Sequence, residues 1–258
     1  MLIKMICCDV FTRLACDLVA KSPHVIDIEF LPMLAHVEPD RLRQTIADRI
    51  EAIGESGRSY DALILGFGLC GNSTVGLTCS IPMVIPRVHD CCTVFMGGKE
   101  RFLEVFGNAL SSRWCNTGYW ERTWSPNSGY PVLEQQDSYK TSEQYMNFLA
   151  EYDEETAEFL WQTMFPTIET HDAYYIEQEG FEFSGAYEGF KSFVEREDIT
   201  LHKVDGGLDL MQALIFGEWD DERFLVVPPG MKIAGVYDMD KVMRAEEVVI
   251  VEKDPFLG

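Results

Sequence analysis

A chain of 258 residues is long enough for one large α/β domain or two smaller ones, so size alone does not require disulfide staples. With 43 acidic against 21 basic residues, the formal charge of -22 opposes attraction to nucleic-acid phosphates and anionic lipid surfaces. Eight cysteines in a chain of this length fall short of a disulfide framework, and no run of about 20 apolar residues exists to span a bilayer.

The opening MLIKMICCDV lacks the longer apolar region of a secretory signal, so the expected compartment is the cytoplasm, with reduced thiols. Its apolar part, LIKMICC, is the first expected strand, and VIDIEFLPML is the second. In PDRLRQTIADRIEAIGES, Leu42, Ile46, Ile50 and Ile53 recur at helical spacing, and Pro39 stands at the expected first turn. DALILGFGL and IPMVIPRVH are further buried strands. From about Trp114 to Tyr139 the composition turns to Trp, Tyr, Ser, Asn and Pro, the mark of a structured loop or lid, and residues 141–195 read as helical and acidic. Strand-like segments then return as ITLHKV, RFLVVPP and EEVVIVE, with GGLDLMQALIFGEWD as a helical crossover. The expected fold is α/β: a layered, mainly parallel sheet with helices on both faces and a helical acidic insertion in the middle. Residues 1–113 would form an α/β half carrying the site, 114–195 the lid and insertion, and 196–258 a segment completing the fold.

In an open parallel sheet, ligands bind outside the carboxyl ends of the strands, so those ends are where chemistry is expected. The first expected strand ends at Cys7-Cys8-Asp9, the third in GFGLCGN with Cys70, and the fourth in PRVHDCC with His89, Cys91 and Cys92. Strands about 4.8 Å apart let side chains at neighbouring ends share one tetrahedral ion. Cys8, Cys70, His89 and Cys91 are therefore the candidate metal ligands, and Cys7, Cys16, Cys79 and Cys115 are read as small buried hydrophobes. His89 and Cys91 project to one side of extended backbone, leaving Asp90 to support the site or cap the next helix. His36, Arg87 and Asp90 are the candidate catalytic groups: His36 as general acid or base, Arg87 as a fork for a substrate carboxylate or phosphate. Gly68 and Gly71 beside Cys70, and Trp120 of an aromatic lid with Trp114 and Tyr119, are candidates to approach a cofactor. Thiolates with imidazole suit zinc, and three thiolates with an open position also suit an iron–sulfur cluster.

The strand end in Cys, LAHVEPDRL, GFGLCGNSTVGL, PRVHDCCTVFMGG, GGLDLMQALIFGEWD and FLVVPPG together resemble the prokaryotic family called domain of unknown function 1638. The resemblance implies anaerobic one-carbon metabolism, with a corrinoid protein as partner. His89-x-Cys91 is also similar to the His-x-Cys zinc motif of cobalamin-dependent methyltransferases, although Cys70 precedes the pair here and the expected sheet is not their barrel. The expected function is a zinc-type enzyme or enzyme component, a methyltransferase or other transferase, acting on a small-molecule substrate, thiol or methyl donor. The alternative is an iron–sulfur or metal carrier without turnover.

Overall fold

A computed structural model of the chain describes residues 1–33, 39–55, 57–107, 113–124, 143–164, 172–197, 199–236 and 241–248. In chain order the strands are β1 (Leu2–Cys8), β2 (Val25–Leu31), β3 (Ala62–Gly66), β4 (Met83–Pro86), β5 (Arg113–Cys115), β6 (Asp172–Glu177), β7 (Thr200–Asp205), β8 (Phe224–Val227), β9 (Met231–Gly235) and β10 (Met243–Glu247). The helices are α1 (Thr12–Lys21), α2 (Pro39–Glu55), α3 (Cys91–Phe95), α4 (Lys99–Phe106), α5 (Thr117–Tyr119), α6 (Glu143–Glu151), α7 (Glu154–Met164), α8 (Ala186–Val194) and α9 (Asp209–Phe216). The chain divides into two units, residues 1–107 with 205–258, and residues 108–204. The sequence had suggested boundaries at 113/114 and 195/196.

The first unit is built on a sheet of order β2-β1-β3-β4-β8, in which the first four strands run parallel and β8 antiparallel. The fold is α/β with a mainly parallel sheet. ALILG of β3 and MVIP of β4 are buried along their whole length, as strands covered on both faces must be, which is why they are unbroken apolar runs. β2 is an edge and carries charge: Asp27 accepts from Tyr60 at 2.7 Å, and Glu29 pairs with Lys4 at 3.0 Å and Arg49 at 3.1 Å. Pro39 opens α2, whose Leu42, Ile46, Ile50 and Ile53 are buried as the spacing predicted.

β9 and β10 form a separate antiparallel pair. Arg87 fastens them to the main sheet. Its side chain is 10% exposed, and the guanidinium donates to the carbonyls of Asp221 (2.9 Å), Phe224 (3.1 Å), Lys241 (3.2 Å) and Met243, and to the Asp221 carboxylate (2.9 Å). Arg87→Met would strand several of those acceptors, so urea unfolding should show a loss of about 2–4 kcal/mol.

The second unit contains a three-stranded sheet, β5-β6-β7. ITLHKV was expected in the main sheet and instead forms β7 here. Its residues fit this unit: Ile199 and Leu201 pack against its core, and His202 pairs with Asp172 at 2.6 Å and Lys203 with Glu177 at 2.6 Å, both on β6. The stretch read as helical thus holds a strand, β6, beside α6, α7 and α8. Its core comprises Cys115, Ala173, Tyr175, Ala186, Phe190 and Val194, with Trp120 packed against it. The Trp120 ring occupies the space over Gly189, where an added Cβ would lie 2.1 Å from it. Among the described residues, no helix is long and apolar enough to cross a membrane.

Candidate functional site

From β1 the chain crosses to β2 on one side and then returns past β1 to β3 on the other. The loops leaving β1 and β3 therefore diverge, and the carboxyl ends of strands at such a reversal are the position where doubly wound sheets bind ligands. Cys8 ends β1, and Cys70 lies four residues beyond β3. Cys91 begins α3 after the β4 loop.

Two backbone hydrogen bonds join the β3 and β4 loops: Leu69 N–H donates to Val88 O and Cys70 N–H to His89 O, both at 2.9 Å. Gly68 permits this approach, because a Cβ there would stand 2.9 Å from Asp90 N and 3.0 Å from Val88 O. The chain then turns back through three consecutive left-handed residues, Cys70 (φ 48), Gly71 (φ 63) and Asn72 (φ 69). For Cys70 this conformation costs on the order of 1 kcal/mol, and such strain is typically retained where it aims a functional side chain. The turn is braced from several sides. Ser73 Oγ donates to Cys70 O at 2.6 Å, Thr74 Oγ1 to Gly68 O at 3.3 Å, and Arg43 of α2 to Asn72 O at 3.0 Å.

The result is a buried group of interacting thiols. Hydrogen-bond contact with Cys91, burial, and the charges of Cys91 and Cys8 push the Cys70 thiol well up. Burial and Cys91 do the same to Cys8. Backbone N–H groups oppose this, Val10 at Cys8 and Gly68 at Cys70, since a donor aimed at sulfur favours the thiolate. Cys7 differs from Cys8: its sulfur fills the space beside Gly66, 2.4 Å from where a Cβ would stand. Cys92 is also buried, and burial and Asp90 push its thiol up.

Among the described residues, no three His, Cys, Asp or Glu side chains stand as a group that could hold a metal ion. What the structure does bring together is Cys70 in hydrogen-bond contact with Cys91, with the exposed His89 two residues before Cys91; thiolate and imidazole are donors of the type zinc takes. A metal would displace the protons these thiols carry.

Residues 30–215 match the family described as a protein of unknown function, DUF1638. The chain belongs to this family. No curated protein and no solved structure matches it. The DUF1638 match includes Cys70, His89 and Cys91, whereas Cys8 precedes it.

The remaining candidates of this DUF1638 member are distributed as follows. Asp90 caps α3, accepting from Thr93 N–H at 3.0 Å and Thr93 Oγ1 at 3.1 Å. Arg87 donates to the protein acceptors named above, and Trp120 packs in the second unit. His36 lies outside the described residues. Two contributors escaped the sequence reading. Asp9, 8% exposed, accepts from Met33 N–H at 2.9 Å and ties the end of β1 to the chain after β2; its place beside Cys8 was the only signal. Arg43 gave none, being one basic residue on a polar helical face.

All eight cysteines are free, and Cys16 alone is exposed. Brief treatment of the native protein with iodoacetamide should therefore give a single adduct, mapped to Cys16 by peptide mass spectrometry. Equally rapid labelling of Cys70 or Cys91 would contradict the buried arrangement.

Proposed function

We propose that Cys8, Cys70 and Cys91 are thiolate ligands of a zinc-type ion at the carboxyl ends of β1 and β3, with His89 as the neighbouring donor. The protein would be an enzyme or enzyme component acting on a small-molecule substrate, thiol or methyl donor. The observation that carries the reading is the contact of Cys70, held at φ 48, with Cys91, which also acts electrostatically on Cys8, at the point where the sheet reverses its order. A bound zinc would supply Lewis acidity, lowering the pKa of a thiol or water. The chain itself positions the sulfurs through the left-handed turn, offers them N–H donors, and excludes water by burial.

Metal analysis of protein purified without oxygen, combined with an absorption spectrum, tests this. Near-stoichiometric zinc in colourless protein is the expected result. Brown protein with charge-transfer absorption would assign the thiols to an iron–sulfur cluster and favour a carrier. Less than about a tenth of an equivalent of any transition metal would end the metal reading.

A further inference from the structure

Cys7 and Cys8 end β1, Cys70 follows β3, and Cys91 and Cys92 open α3 after β4. The sequence neighbours among them are poorly placed to bond to each other. Cys7 and Cys8 are consecutive in a strand and project to opposite faces of the sheet, and Cys91 and Cys92 are consecutive in a helix, where neighbours diverge around the axis. Cys70 and Cys91 differ from both pairs, because their side chains are in hydrogen-bond contact across two loops.

Both partners are held from the backbone. Cys70 N–H donates to His89 O at 2.9 Å, and Ser73 Oγ braces the carbonyl of the left-handed Cys70 at 2.6 Å. On the other side, Asp90 accepts from Thr93 N–H at 3.0 Å, which fixes the first turn of α3 where Cys91 stands. Sulfurs already in contact need only close to about 2.05 Å, by rotation of the side chains, to form a covalent bond. The two are not equally sheltered: Cys70 is 9% exposed and Cys91 3%, so a small oxidant meets Cys70 first.

We propose that Cys70 and Cys91 form a reversible disulfide when the protein meets a peroxide. The Cys70 sulfur attacks one oxygen of hydrogen peroxide, the O–O bond breaks, and water leaves as Cys70 becomes a sulfenic acid. The Cys91 sulfur then attacks the Cys70 sulfur, the S–O bond breaks, and a second water departs with the Cys91 proton. Two electrons pass from the sulfurs to the peroxide, and a dithiol returns them. In a chain that holds zinc at these sulfurs, the new bond removes two ligands and releases the ion. That consequence alone rests on the metal reading; the disulfide does not.

The test uses the whole chain carrying Cys16→Ser, which removes the exposed thiol. It is purified without oxygen, treated with hydrogen peroxide, denatured and alkylated. Mass spectrometry should count two fewer alkylated thiols than in untreated protein, with both restored by dithiothreitol, and fragmentation of unreduced peptides should place the bond between Cys70 and Cys91. Cys92→Ala should oxidise to the same extent, whereas Cys91→Ser should lose the bond. No loss of thiols, a bond between any other pair, or sulfinic acid accumulating at Cys70 overturns the proposal. These outcomes are read on the chain with both thiols present, so a misfolded variant does not shield it. Zinc released in step with the bond supports the metal reading, whereas a bond formed with zinc fully retained removes Cys70 and Cys91 from the ligand set and leaves the disulfide standing.

Discussion

Replacing Cys70 with Ser should reduce the zinc retained by the protein from about one equivalent to below roughly a tenth, with the fold intact. Serine is nearly the same size and can occupy the same left-handed turn, whose supports all act on backbone atoms: Cys70 N–H to His89 O, Ser73 Oγ to Cys70 O, and Arg43 to Asn72 O. What disappears is a soft donor that forms a thiolate, and a hydroxyl is a poor substitute for it on zinc. Cys92→Ala is the control. Cys92 is buried close in sequence to Cys91 but is not among the groups that act on Cys70, so the metal should stay. Loss of metal from both variants would point to general damage, and retention in Cys70→Ser would remove the thiol site from consideration.

Gly68→Ala is expected to disturb the site without touching any sulfur. The added methyl would stand 2.9 Å from Asp90 N and 3.1 Å from Asp90 Cα, and both are backbone atoms that cannot rotate away. The β3 and β4 loops must then separate, stretching the bonds of Leu69 and Cys70 to Val88 and His89. Overpacking and weakened hydrogen bonds together should cost about 2–4 kcal/mol in urea unfolding. Because Cys70 moves relative to Cys91, zinc affinity should fall by at least about tenfold, the size of effect seen when support around a metal ligand is lost. An alanine variant with unchanged stability and metal content would mean that the two loops do not position the thiols.

Much of this was already written in the residues. The unbroken apolar runs ALILG and MVIP required strands buried on both faces, and the spacing of Leu42, Ile46, Ile50 and Ile53 required a helix packed on one side. Those local patterns were enough to place Cys8, Cys70 and Cys91 near strand ends, because periodicity reports which face of an element is buried. ITLHKV was misplaced because its partner depends on residues elsewhere: Ile199 and Leu201 pack against the core around Tyr175 and Phe190, and His202 and Lys203 meet Asp172 and Glu177 of β6. The same limit hid the use of Arg87, whose acceptors lie more than a hundred residues away at Asp221 and Met243. Strand existence is a local property of the chain, whereas strand order and the acceptors that Arg87 meets are pairwise facts. They arise only when distant segments pack, and composition or spacing within one segment carries no record of them.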